Sequence, residues 1–189
     1  MYRVIHLLFC LLIMSGTETV FGQPSTISGV INLYTPVSAI DSLGCNAAIV
    51  VSNTLGFTAG DRVLIIQMKG ASIDTTNTPG FGSIIDLGNA GNYEFANIVN
   101  INGDTIILAR KLNRTYTISG LVQLIKAPQY TDVDIVGALT AEPWNGATGG
   151  VLVFEATGTV TMNANIDVSG LGFRGGDPSQ NVFIGCFPD

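Results

Sequence analysis

The chain has 189 residues, with 8 lysines and arginines against 14 aspartates and glutamates, and a formal net charge of −6. This scarcity of basic residues argues against nucleic-acid binding, because the phosphate backbone requires clustered lysine and arginine. The only histidine, His6, lies in an N-terminal segment that we expect to be removed. Without imidazole, the mature chain cannot carry Ser-His-Asp or Cys-His catalysis or form the common zinc sites.

Residues 1–22 have the three-part layout of a secretory signal peptide. Arg3 supplies the positive start, residues 4–14 form an apolar run, and a polar stretch leads to Gly22. An apolar run of 11 residues is well short of the roughly 20 needed to cross a bilayer. We therefore predict cleavage after Gly22, a mature chain that starts at Gln23 with no membrane span, and a secreted or cell-surface location.

Extended structure dominates the predicted elements of the mature chain. Residues 62–68 form a continuous apolar run of strand length, and 93–101 meets 104–109 across Asn102-Gly103. Asn-Gly is typical of the type I′ turn of a two-residue hairpin. Another strand is predicted at 121–125, whereas no window of helical length carries an apolar stripe with helical spacing.

The stretch 151–168 alternates between apolar and polar side chains. Its even positions are all apolar or glycine, and its odd positions from 155 onward are all polar. Such a period of two indicates extended backbone with one buried face and one wet face. Since strands usually run about 5–6 residues, we interpret it as three short strands with corners near 158–159 and 163–165. Strands that turn corners without losing phase are typical of a β-solenoid.

These patterns predict an all-β chain that holds the start of a right-handed β-solenoid with a small barrel-like or hairpin-rich insertion. A β-sandwich is the alternative. The predicted segments are, in chain order, a signal peptide at 1–22, an N-terminal β segment at 23–56, the barrel-like insertion at 57–127, solenoid-like rungs at 128–176 and a tail at 177–189.

Five short motifs together resemble a known class of proteins. They are GDRVLIIQ at 60–67, GNAGNYE at 88–94, PQY at 128–130, WNGATGG at 144–150 and VSGLGFRGG at 168–176. The chain resembles the N-terminal region of large secreted Bacteroidota cell-surface proteins, the gliding-motility-associated type exported by the type IX system. The resemblance implies adhesion-like modules, no catalytic residues in this region and a C-terminal sorting domain. This chain has no such domain, so we expect it to be a truncated fragment.

Cys45 and Cys186 are the only cysteines of the mature chain. Disulfides persist in an extracytoplasmic compartment. Two pairings therefore stay open, namely Cys45 with Cys186, or Cys186 with a residue beyond Asp189.

Few residues suggest a binding site, and none suggests catalysis. Trp144, with Asn145 and Tyr130, could form a platform on which a sugar ring stacks while the amide bonds its rim. The alternative is that the tryptophan closes the end of the fold. No cofactor is expected, although a structural Ca²⁺ stays open because some β-helix lyases hold calcium on carboxylates, as Asp132 and Asp134 would have to do here with Arg174 as base.

Two hypotheses of function follow. The first is a non-enzymatic N-terminal module of a secreted or cell-surface bacterial protein, with an adhesive or stalk role and with surface glycans or other cell-surface proteins as partners. The second is a carbohydrate-binding or polysaccharide-lyase-like β-helix domain.

Overall fold

The computed structural model describes residues 23–41 and 44–174. Strands hold 43% of the described residues and helix 2%, so the predicted all-β class is confirmed. The strands are β1 (Ser25–Val30), β2 (Leu33–Asp41), β3 (Ala48–Val51), β4 (Arg62–Gln67), β5 (Ser72–Ile73), β6 (Ile84–Asp86), β7 (Tyr93–Asn102), β8 (Thr105–Leu108), β9 (Val122–Lys126), β10 (Gln129–Tyr130), β11 (Val133–Thr140), β12 (Glu155–Ala156) and β13 (Val160–Met162). A single 3-10 turn spans Ile118–Gly120 among the described residues. The predicted signal peptide and the tail at 177–189 lie outside the described residues.

Six antiparallel strands form a closed barrel in the order β2-β3-β8-β7-β4-β9. Strand β9 closes it by pairing with β2 on one side and β4 on the other. Alternate side chains fill the interior, as the period of two requires. The core consists of Val37, Ala47, Ile49, Val51, Phe57, Val63, Ile65, Ala96, Ile98, Ile106, Leu108, Val122 and Leu124.

The barrel begins at Leu33 and not at residue 57, where the sequence placed its start. Strands β2 and β3 belong to it because they pair with β9 and β8, which lie far along the chain. Such distant pairings leave no local pattern.

The predicted hairpin between β7 and β8 is present, but Asn102 pairs with Thr105, so Gly103 and Asp104 are the central residues. Only Gly103 has a positive φ, +62°, as in a type II′ turn and not type I′.

The remaining strands stack in parallel beside the barrel. Strand β11 pairs with β1 on one side and β13 on the other, and β10 pairs with β12. Residues of β11 pair with residues 27 positions later (133 with 160, 135 with 162, 139 with 166), and residues of β10 pair with residues 26 positions later (129 with 155). The core of this stack centres on Ile27, Val133, Ile135 and Leu139. The barrel, residues 33–126, is thus inserted in the sequence between the first and second strands of the stack.

The alternating stretch 151–168 is extended, with corners at 157–158 and 163–164. Its even residues Leu152, Phe154, Ala156 and Ala164 pack on the stack core as predicted. Farther along, the same face is open, and Met162 is 66% exposed. The predicted dry face is therefore only partly dry, because β13 is the edge of the stack within the described residues. The closed barrel and parallel stack also differ from the alternative β-sandwich, which packs two antiparallel sheets.

Among the described residues, no helix is long and apolar enough to cross a membrane.

The substitution Leu124→Ala tests the barrel core. Leu124 lies fully buried on the strand that closes the barrel, so we expect a loss of about 2–5 kcal/mol in the free energy of unfolding. Leu55→Ala removes the same atoms from an exposed side chain and serves as the control. Urea denaturation of both variants measures the difference, and equal losses would contradict the placement of Leu124.

Candidate functional site

The barrel is held on the stack by a row of hydrogen bonds, which we call the joint. Segment 149–155 lies along the outer face of β9, and every second residue of it bonds to the barrel side: Gly149 to Gln123, Val151 to Tyr34, Val153 to Asn32 and Glu155 to Arg62. The even residues 152 and 154 face the stack core instead. The odd residues of segment 149–155 therefore bond to the barrel, whereas the even residues 152 and 154 pack on the stack.

Asn32 is the central residue of the joint. Its amide nitrogen donates to the carbonyls of Lys126, at 3.0 Å, and Val153, and its Oδ1 accepts from the Val153 N–H at 3.0 Å. Asn32 precedes the first barrel strand and Lys126 ends the last one. One buried amide thus fastens both ends of the barrel to the stack.

Gln123 makes a second buried contact at the joint. Its Nε2 donates to the Gly149 carbonyl at 3.1 Å, and its Oε1 accepts from the Gly149 N–H at 2.9 Å. Gly149 has a φ of +100°, and a Cβ there would overlap the carbonyls of Glu142 and Pro143. Glycine is therefore required where the loop meets the barrel.

An ion pair completes the joint. The Arg62 guanidinium lies 3.1 Å from Oε1 of Glu155 and 5.1 Å above the centre of the Phe95 ring. Gln129 donates to the other carboxylate oxygen of Glu155 at 3.0 Å. In the sequence, Glu155 occupies one of the polar positions of the alternating stretch, which predicts a side chain that faces solvent. In the structure it binds the barrel instead.

The predicted aromatic platform does not form an open sugar-binding surface. Trp144 is only 9% exposed and packs edge-to-face on Phe173 with ring centres 5.3 Å apart. Asn145 accepts from the N–H groups of Ala147 and Thr148 within its own loop. Tyr130 packs edge-to-face on Phe154. The alternative, a tryptophan that packs the end of the fold, agrees with this geometry.

The other predicted sites are settled only in part by the described residues. Cys45 is exposed, whereas Cys186 lies outside them, so its pairing stays a prediction. The Asp132 carboxylate accepts from the Thr159 N–H at 2.7 Å and so links two rungs of the stack. Within 23–41 and 44–174, no three His, Cys, Asp or Glu side chains cluster as a metal site would need, and a calcium ion stays a prediction.

A polar recess, which we call the barrel-end recess, lies at the end of the barrel away from Arg62 and Lys126. Its volume is about 410 Å³, and its lining residues are Gln67, Lys69, Gly70, Ala71, Gly88, Asn89, Thr117, Ser119 and Gly120. The buried Gln67 side chain donates to the Lys69 carbonyl and accepts from the Thr117 N–H, both at 2.7 Å. A Cβ on Gly120 would overlap the Gln67 amide.

An apolar ribbon, the arm, projects from the same end of the barrel. It comprises residues 72–87, in which β5 and β6 pair only with each other. All five residues of these two strands are exposed, and so are Phe81, at 67%, and Leu87. Ile73 and Ile84 are partners across the two strands, and exposed apolar patches mark interaction sites on proteins.

Sequence reasoning did not identify Asn32, Gln67 or Gln123. A signal was available, because Gln67 and Gln123 interrupt runs of strand-forming apolar residues. A buried amide must find hydrogen-bond partners. The partners themselves, at 117 and 149, could not be identified without the fold.

No protein-family model matches the chain, and no curated protein matches it. Two solved structures are similar. The Gp54 tailspike of Acinetobacter baumannii bacteriophage AP22, in complex with A. baumannii capsular saccharide, is 13% identical with a TM-score of 0.37, and the match covers 74% of this chain and 24% of that one. The tailspike protein gp49 from Pseudomonas phage LKA1 is 17% identical with a TM-score of 0.32, covering 76% and 23%. The chain thus spans about a quarter of their length.

Replacing Asn32 tests the joint. The change Asn32→Ala leaves the partly buried N–H and carbonyl of Val153 and the Lys126 carbonyl without this partner, so we expect a loss of about 2–4 kcal/mol in the free energy of unfolding. Asn163→Ala makes the same change at an exposed position and should alter it by less than about 0.5 kcal/mol. Thermal and urea unfolding measure both, and similar values for the two variants would contradict a central role for Asn32.

The stability of the chain should fall in alkali because of Tyr34. Burial raises the pKa of its phenol from 10.0 to about 12. The unfolded chain loses this proton first, so the contribution is complete below pH 10 and is lost as the pH rises towards 12. Burial also raises the pKa of Tyr116, so wild type is compared with Tyr34→Phe. The variant should lose less stability between pH 10 and 12 in chemical denaturation, and identical pH profiles would refute the assignment to Tyr34.

Proposed function

We propose that this chain is an exported, non-enzymatic module of a bacterial cell-surface protein that holds a β-barrel on a stalk and contributes to adhesion. The stalk is the parallel stack, which we propose to be the start of a right-handed β-solenoid. The barrel presents the arm and the barrel-end recess at the end away from Arg62 and Lys126.

The joint is the observation that carries this proposal. Buried polar contacts from Asn32 and Gln123 and the Arg62–Glu155 ion pair connect the barrel with the stack at several points along one face. Bonds at several separate points restrict rotation of the barrel about any one of them. A barrel held in this way transmits a pulling force from its far end to the stack, as an adhesive stalk must.

Parallel pairing supports the stalk role. Strand β11 pairs in parallel with residues 27 positions further along the chain, and parallel rungs bury one another as the stack lengthens. The proposal of a Bacteroidota surface protein rests on the five sequence motifs. Two of these motifs contribute residues to the joint or to the barrel-end recess. The segment 144–150 supplies Gly149 to the joint, and 88–94 supplies two residues that line the recess.

Adhesion to other cell-surface proteins is proposed to use the arm. Two paired strands by themselves are marginally stable in water, and a third strand or a packed face is usually needed. The arm has neither among the described residues, and its apolar side chains are open. Contact with another surface would bury them.

A bead assay under flow tests the proposal. Beads coated with residues 23–189 should stay on intact bacterial cells, and Phe81→Ser with Ile85→Ser should abolish both static binding and retention. The joint variant Asn32→Ala, assayed below its melting temperature, should keep static binding and lose retention at high shear. Leu55→Ser, an exposed apolar position outside the arm, is the matched control.

Two results would overturn the proposal. Retention of the arm variant equal to that of Leu55→Ser would remove the adhesive role. New reducing ends or unsaturated products from any polysaccharide in a panel, with or without calcium, would show an enzyme. Trp144→Ala is unsuitable as a binding-site variant in these assays because Trp144 is a buried packing residue.

A further inference from the structure

The barrel-end recess has polar walls and one formal charge. Its lining residues include Thr117, Ser119, Asn89 and Lys69, whose side chains carry two hydroxyls, an amide and an ammonium group. Arg62 and Lys126, on other parts of the barrel, are paired with carboxylates at 3.1 and 2.8 Å. Lys69 has no ion pair among the described residues. An ammonium group without an ion pair, beside hydroxyl and amide groups, is suited to a polar anion.

We propose that the barrel-end recess binds a saccharide that carries a carboxylate, with the carboxylate paired to Lys69 and the sugar hydroxyls bonded to Asn89, Thr117 and Ser119. This inference deepens the proposed adhesive function by assigning a chemical class to one of its partners. It does not depend on the arm, because neither Phe81 nor Ile85 lines the recess.

Size and polarity favour a sugar over a bare inorganic anion. The volume of about 410 Å³ falls in the range of small-molecule sites, about 300–1,000 Å³. Hydroxyl and amide groups both donate and accept hydrogen bonds, as sugar hydroxyls do. A small anion would use Lys69 and leave most of these groups with water.

Charge favours a carboxylate. One ammonium group balances the single charge of a uronate, whereas a phosphate monoester carries about −1.5 to −2 at pH 7. Lysine contributes a compact point charge with three donors on a flexible side chain, so it pairs with an anion in many orientations. It can therefore pair with a carboxylate on a flexible sugar chain.

The recess is preorganised without a ligand. Gln67 links Lys69 to Thr117, Asn89 donates to the Thr117 hydroxyl at 3.0 Å, and the Lys69 N–H donates to the Gly120 carbonyl at 2.9 Å. Three loops are thus already held in place. A site that is ordered in advance loses less conformational entropy on binding.

Isothermal titration calorimetry on residues 23–189 tests the proposal with three probes: a trimer of two galactose units and one galacturonic acid unit (the uronate trimer), the neutral trimer of galactose, and inorganic phosphate. We expect the uronate trimer alone to bind, and its affinity to fall as salt is raised. Lys69→Met should weaken it about tenfold or more, and Ser119→Ala should weaken it to a smaller extent. Lys111→Met removes an exposed lysine that does not line the recess and gives the same net charge as Lys69→Met, so it should bind as wild type does.

Several outcomes would overturn the inference. These are no binding of the uronate trimer, equal affinity for the neutral trimer, or equal losses in Lys69→Met and Lys111→Met. Phosphate binding as tight as that of the uronate would show a simple anion site instead. Thermal melts confirm that both lysine variants fold, and the bead assay with the arm variants reports on adhesion independently of this result.

Discussion

A barrel that interrupts a stack of parallel strands must leave the stack and return to it at nearly the same place. Here the first barrel strand pairs with the last one, beginning with Leu33 opposite Lys126. The Asn32 amide then bonds both the Lys126 carbonyl and the Val153 backbone of the stack segment. Because the two ends of the barrel meet at one buried side chain, residues 33–126 can be inserted while β1 and β11 still pair in parallel, with one shift of register between Ile27 and Gly29.

Two separate apolar cores result, and a polar joint connects them. The barrel core and the stack core are distinct clusters. Apolar contact alone is non-directional, so it would not define how one body sits on the other. Hydrogen bonds from Gln123 and Asn32 do so, because each buried amide both donates to and accepts from the backbone of one residue of the stack segment, Gly149 and Val153 respectively. Every described buried side-chain nitrogen and oxygen has a partner, as a fully satisfied buried network requires.

The barrel-end recess and the arm are built from barrel residues alone. The recess is lined by residues between Gln67 and Gly120, and the arm spans 72–87. Lys69, which has no ion pair among the described residues, therefore lies close in sequence to the arm, and no residue of the stack lines the recess. The exposed arm and the recess are the surfaces to which we assign the proposed contacts with partners.

Local patterns in the sequence determined the all-β class, the β7–β8 hairpin and the extended backbone of 151–168, because periods of two and turn residues act over a few positions. The tertiary structure alone decided that β2 and β3 join the barrel, that Trp144 is buried, and that Glu155 binds Arg62. These outcomes depend on residues that meet from distant parts of the chain, such as 32 with 153 and 62 with 155. A polar residue in a strand looks the same in the sequence whether its partner is water or a side chain 93 positions away, and only the folded arrangement distinguishes the two.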